Sequence, residues 1–239
     1  NDMMQALTEV TAQINANHKN SDGVTIDMSK ICVVGGSHGG FLSAHLTGQF
    51  PDTFVSCALR NPVTNLPSMA SITDIPDWCH IEAKGLGTAQ SMADTPADTA
   101  GPVTMGGIVI DTVSYNIYSA TGPGGDSNNR STGTYDFQRL ANNSLTEEDL
   151  LIMRQRSPIA HVGNVVTSTL TCLGAKDRRV PYSQGIEWHR ILRSKGVKSK
   201  MQIFPNDCHS IDTPCSEAEQ FVTIRHWFAG DIAAADAAN

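Results

Sequence analysis

Ser37 stands at the centre of Gly35-Gly36-Ser37-His38-Gly39, between an apolar run and a helix-like pattern. Gly-x-Ser-x-Gly between a strand and a helix is the arrangement of a nucleophile elbow, a turn sharp enough to push the serine hydroxyl out above the sheet. A serine attacks poorly at neutral pH unless a base takes its proton. A helix opening at His38 directs free backbone N–H groups and a positive dipole end toward any oxyanion formed there. The plainer reading is a glycine-rich turn in which Ser37 caps the helix.

The chemistry needs a histidine to take the proton and an acid to hold the histidine. In doubly wound sheets such groups gather at the carboxyl ends of strands. After the apolar run ending at Leu173 comes "GAKDRRVP", which places Asp177 at one strand end. After Phe204 comes "PNDCHSI", which places His209 at the next. The order serine, acid, histidine is that of α/β-hydrolases. Alternatives stand beside this reading. Asp177 could pair with Arg178 or Arg179, Asp207 could be the acid, and His209 could be an ordinary loop histidine.

The elements that must hold these residues follow from apolar spacing. Residues 1–18 read as a helix, with Met4, Leu7, Val10 and Ile14 at steps of three and four. Strands are expected at 31–34, buried on both faces, and at 55–60, 168–173 and 200–204. Helices are expected at 38–49, 182–195 and 215–228, with a fraying tail at 230–239. Strands alternating with helices imply an α/β protein with a mostly parallel sheet flanked by helices. From about 85 to 145 the composition shifts to Gly, Pro, Ser, Thr, Asp and Asn. That stretch reads as a long surface insertion in one domain covering 1–229, with "MGGIVIDTVSYNIYSA" as a short hairpin or strand addition.

Composition narrows the partners. The 239 residues carry 17 Lys+Arg against 24 Asp+Glu, a net charge of −7, which leaves no basic face for nucleic acid or an anionic membrane. No apolar run approaches the ~20 residues of a membrane span. The first residues, "NDMMQALTEV", have no signal-peptide pattern and no initiator methionine, so the chain is expected to begin inside a longer protein. Six cysteines lack metal-ligand spacing, so no metal or other cofactor is expected, and a reducing cytoplasm is the expected compartment.

The segments "GGSHGGF", "RNPV", "TDIPDWC", "SPI", "GAKDRRVPYSQG" and "FPNDCHSI" resemble the catalytic domain of the prolyl oligopeptidase family of serine peptidases, in its acylaminoacyl-peptidase branch. The similarity covers residues 1 to about 84 and 155 to 229. It implies the C-terminal part of an α/β-hydrolase fold, with Ser37 as nucleophile, Asp177 as acid, His209 as base and the His38 N–H as one oxyanion donor. It also implies an exopeptidase acting on N-acylated, typically N-acetylated, short peptides. An esterase or dipeptidyl-type peptidase of the same family, or a catalytically silent chain with a structural role in a homo-oligomer, are the alternatives. Two departures from the family pattern are visible. The earlier hydrolase strands and the β-propeller ahead of them are not in this sequence and are expected upstream as partners, and 85–145 exceeds the family's span between Trp78 and Ser157. Arg60, Asp74 and Trp78 fall in matching segments. They are candidates for lining an acyl pocket, or else Arg60 and Asp74 form an ion pair and Trp78 packs.

Overall fold

The computed structural model describes residues 2–16, 25–85, 103–105, 108–110, 117–119 and 145–238. In chain order these form α1 (Asp2–Ala16), β1 (Cys32–Gly36), α2 (His38–Gln49), β2 (Ser56–Arg60), α3 (Leu66–Ala70) and α4 (Pro76–Lys84). Three short strands follow, β3 (Val103–Met105), β4 (Ile108–Ile110) and β5 (Ile117–Ser119). The chain continues through α5 (Glu147–Gln155), β6 (Ser168–Gly174), α6 (Ser183–Ser194), β7 (Ser199–Phe204) and α7 (Pro214–Ala238).

The main sheet has the order β1-β2-β6-β7, and every pairing in it is parallel. Parallel neighbours need a crossover, which α2 supplies between β1 and β2 and α6 between β6 and β7. β2 shows why the sheet is buried: Cys57 and Leu59 face one core and Ala58 the other, the period-2 alternation of a strand covered on both sides. On the first face Ala44 of α2 and Trp188 and Leu192 of α6 close over Cys57 and Leu59. On the second, Ile224, Trp227 and Phe228 of α7 close over Ala58, Leu170 and Cys172. Leu59→Ala would empty a fully enclosed site and cost about 2–5 kcal/mol. A third cluster, including Phe41, Leu66, Met69, Cys79, Met153 and Val180, joins α2 to α3, α4 and α5 beside the strand ends.

Several expectations are corrected. The apolar strand expected at 31–34 is β1, an edge of the described sheet, as expected where the neighbouring hydrolase strands lie upstream; burial on both faces does not hold there, since Val33 is buried but Val34 is 56% exposed. The last helix does not stop at Phe228 before a fraying tail. It runs to Ala238, because Asp231 is buried and accepts hydrogen bonds from Ser56 Oγ and Lys198 Nζ, both at 2.6 Å, while Lys30 Nζ pairs with Asp236 at 2.6 Å. Alanine's high helix propensity helps the same stretch. The helix at the N-terminus contributes Met4 to the core, whereas Val10 and Ile14 of the expected apolar stripe stay exposed.

Most of the expected insertion at 85–145 lies outside the described residues. Its hairpin-like part contains β4 and β5 and begins at Met105, the last residue of β3; the three strands form a small antiparallel sheet. At its borders α4 ends at Lys84 and α5 opens on a capping box between Thr146 and Asp149, and Lys84 pairs with Asp149. The two ends of the segment are therefore tied together.

Candidate active site

The turn after β1 has the backbone that an elbow requires. Ser37 adopts φ 56 and ψ −120, a left-handed φ rarely taken by a non-glycine residue. Its N–H donates to the Arg60 carbonyl at 2.9 Å, and its carbonyl accepts the Phe41 N–H at 3.0 Å. The side chain does not cap α2, so the plainer reading of this serine fails. Of the two flanking glycines, Gly35 is the one that sterics demand: a Cβ there would fall 2.0 Å from the Gly39 carbonyl oxygen, whereas a Cβ on Gly39 meets nothing within 4 Å. His38 opens α2, so its backbone N–H belongs to the first turn that lacks intrahelical partners.

The other two residues come together. Asp177 lies in the turn after β6, held by its own N–H on the Gly174 carbonyl at 3.2 Å. Its Oδ1 accepts the N–H groups of Arg179 and Val180, each at 2.9 Å. That leaves Oδ2, which receives Nδ1–H of His209 at 2.7 Å. The aspartate side chain is fully enclosed while the imidazole stays partly open to solvent, 28% exposed. Holding Nδ1 as the donor leaves Nε2 as the basic nitrogen of a neutral ring. Arg179 does not neutralise Asp177; its Nε turns to Asp74 at 3.3 Å. Ser37 Oγ makes no hydrogen bond to any described residue, and apo sites commonly hold the nucleophile looser than the reacting complex does.

The alternative acid is engaged elsewhere. Asp207, 3% exposed, accepts Thr213 N–H at 3.1 Å and Thr213 Oγ1 at 2.5 Å on one oxygen, and Ser216 Oγ at 2.6 Å on the other. The hydrogen bonds from Ser216 and Thr213 hold its carboxyl below the ordinary carboxylate value.

Around the nucleophile, His38 stacks on Phe41 and meets Trp78 edge-on, at centroid distances of 5.6 and 5.8 Å. Its Nε2 lies 3.1 Å from Glu82 Oε1, and that hydrogen bond raises the imidazole above its ordinary value against the opposing effect of burial. Arg60 and Asp74 do not form the ion pair that was one reading of them. The Arg60 guanidinium donates from Nη2 to the Ser210 carbonyl at 2.5 Å, and Asp74 pairs with Arg179. Of the three candidates for an acyl pocket, Trp78 is the one placed against the first turn of α2. A groove of about 480 Å³ on the outer side of α2 is lined by Phe41, His45, Glu82, Arg156 and His161 among others, and none of Ser37, Asp177 or His209 borders it. Among the described residues no cluster of three or more His, Cys, Asp or Glu could hold a metal ion, and no helix is long and apolar enough to cross a membrane.

Sequence reasoning missed Asn61 and Glu82. Asn61 lies in the matching segment "RNPV" but was given no role there, although a polar Arg-Asn pair directly after four buried residues is a signal that side chains are needed there.

Comparison with known proteins gives the family and the fold. A profile of the prolyl oligopeptidase family matches residues 7–99 and 124–234. The chain is 40% identical over 202 residues to an acylamino-acid-releasing enzyme of Arabidopsis thaliana, covering 84% of this chain and 20% of that one. It is 37% identical over 203 residues to acylamino-acid-releasing enzyme 1 of Oryza sativa subsp. japonica, covering 85% of this chain and 20% of that one. Among solved structures, an acylaminoacyl peptidase of Pyrococcus horikoshii superposes with a TM-score of 0.57 at 15% identity, over 92% of this chain and 26% of that one, a likeness of fold. The chain belongs to the prolyl oligopeptidase family, has the α/β-hydrolase architecture, and spans about a fifth of the length of the curated relatives it matches.

Proposed function

We propose that this chain carries the catalytic centre of a serine exopeptidase that releases N-acylated, typically N-acetylated, amino acids from the N-terminus of short peptides. The observation that carries the reading is the Asp177 to His209 hydrogen bond of 2.7 Å, at two strand ends of the sheet whose first strand delivers Ser37. The names of the curated relatives supply the substrate class.

In this reading Ser37 Oγ attacks the carbonyl carbon of the acylated first residue while His209 Nε2 takes its proton. Asp177 keeps the ring in the required tautomer and stabilises the imidazolium that forms. The carbonyl oxygen becomes an oxyanion and is met by the His38 N–H, with the positive end of α2 behind it. Collapse of the tetrahedral intermediate breaks the peptide bond, and His209 returns the proton to the departing amine. Water then repeats the sequence on the acyl-enzyme and frees the N-acyl amino acid. Arg60 and Asp74 are occupied with Ser210 and Arg179, which makes Trp78 the residue we assign to the acyl group.

The test is turnover of an acetyl-alanyl reporter. Ser37→Ala should abolish it, by about a millionfold in the limit set by serine peptidases whose triad acts as one unit, with little change in stability. Retention of more than about a tenth of wild-type turnover, far outside that limit, would remove the assignment.

A further inference from the structure

The turn after β2 touches all three arms of the site, and one buried side chain there serves two of them at once. Asn61 is 1% exposed and sits at φ 39, a left-handed conformation that asparagine tolerates better than most residues. Its Oδ1 accepts the Gly174 N–H at 2.8 Å, at the root of the loop that carries Asp177. Its Nδ2 donates to the His209 carbonyl at 2.7 Å. Its own N–H donates to the Cys172 carbonyl at 2.9 Å. The preceding residue completes the set: the Arg60 carbonyl accepts the Ser37 N–H, and the Arg60 guanidinium holds the Ser210 carbonyl.

We propose that Asn61, supported by Arg60, is the positioning residue that sets the acid and base arms against each other and against the serine turn; this rests on the reading of Ser37, Asp177 and His209 given above. Only a primary amide fits. The acid arm offers an N–H and the base arm a C=O, so the bridging side chain must accept on one side and donate on the other, and the partners fix which way the amide points. Aspartate lacks the donor, and leucine, of similar size, lacks both. The two arms are close enough that a Cβ on Gly174 would stand 2.2 Å from the Cys208 carbonyl oxygen, so they meet as backbone against backbone, and Asn61 is the pin across that seam. Removing the amide leaves a buried N–H and a buried C=O without partners and frees the seam to slide. Misplacement by about 1 Å at this distance from the chemistry can cost about a hundredfold in rate.

The experiment compares Asn61→Gly, Asn61→Asp and Arg60→Met with the wild type on the acetyl-alanyl reporter, with Ser37→Ala in parallel. Glycine accepts the positive φ without strain, so it separates backbone conformation from the amide bridge. Aspartate keeps the size and the acceptor but loses the donor to His209. The expected result is a fall in kcat of about ten- to a hundredfold for both Asn61 variants with KM within about twofold, since a positioning group acts on the transition state and not on ground-state binding. The low-field proton signal of the His209 to Asp177 hydrogen bond should broaden or vanish in both. Arg60→Met, which spares the buried amide, should show the same pattern at about threefold to tenfold in kcat, a partial loss of the same positioning. The proposal is overturned if Asn61→Gly or Asn61→Asp keeps wild-type kcat and the low-field signal, or if the loss falls on KM. Activity in Ser37→Ala would instead remove the reading of the catalytic residues, whatever the Asn61 variants do.

Discussion

Two loops follow the last two strands of the sheet, and each carries a buried aspartate. Asp177, after β6, is 6% exposed, and Asp207, after β7, is 3% exposed. By residue type, burial and sheet position they are near equals. They differ in what is left over. Asp207 has both oxygens occupied by Thr213 and Ser216, so its charge is used to fasten the loop to the start of α7. Asp177 satisfies its own turn through Oδ1 alone and keeps Oδ2 for His209. What suits Asp177 to the role proposed for it is an unspent oxygen aimed at an imidazole, and not its nearness to the histidine in sequence.

The comparison breaks most sharply by matched substitution. Asp177→Asn should lower kcat by up to ~10⁴-fold, because the amide can present its N–H to Nδ1 and stabilise the wrong tautomer. Asp207→Asn should change kcat by less than about tenfold, a small fraction of the effect of a lost tautomer, and should lower Tm instead. Steady-state kinetics and thermal melts on the same two proteins decide it. A large kinetic loss in Asp207→Asn with little in Asp177→Asn would exchange the roles.

Acid titration sharpens the structural half of the contrast. The Asp207 carboxyl is held below its ordinary value of 3.8 by Ser216 and Thr213. A group with a depressed folded value stabilises the protein above its unfolded value, and that contribution is lost as pH falls through the folded one. The stability difference between wild type and Asp207→Asn should therefore be full above about pH 4 and vanish in the more acidic window, as read by circular dichroism. A difference that persists unchanged into strong acid would mean the ionised carboxylate is not what fastens the loop.

The smallest effect concerns a third carboxylate, outside both loops. Glu82 raises the His38 imidazole above its ordinary 6.5. A raised histidine stabilises the fold below its unfolded value, and the contribution fades as pH rises through the folded one. Glu82→Gln should bring the His38 midpoint down in proton NMR and remove that modest stabilisation from the range below about pH 6.5, while leaving the Asp177 to His209 bond in place. An unmoved His38 midpoint would show that Glu82 does not govern this ring.

The same two loops mark what a sequence shows and what it hides. Strand ends are legible, because an apolar run such as Thr169–Leu173 stops where polar loop residues begin, and that alone placed Asp177 and His209 at the rim of a parallel sheet. The expected strands at 55–60, 168–173 and 200–204 match β2, β6 and β7 to within a residue or two. Hydrogen bonds across 113 or 148 positions, such as those of Asn61 to Gly174 and His209, leave no local pattern. The pairing of Asp74 with Arg179 was hidden for the same reason. α3, α4 and α5 escaped notice because their apolar residues serve one cluster jointly, so no single helix carries a clear periodic face. The helical end of α7 was hidden because its anchor is a buried aspartate among alanines, a composition that otherwise reads as a solvated tail.

The central claim is that Ser37 is an activated nucleophile and that Asp177, not Asp207, is the acid behind it. Reaction with a fluorophosphonate, followed by peptide mapping, measures this directly, because only a serine whose proton is taken by a base is phosphonylated at an appreciable rate. The account predicts a single adduct on Ser37, formed at a similar rate in wild type and Asp207→Asn and far more slowly in Asp177→Asn. An adduct on another serine, no adduct at all, or equal slowing in the two aspartate variants would contradict it.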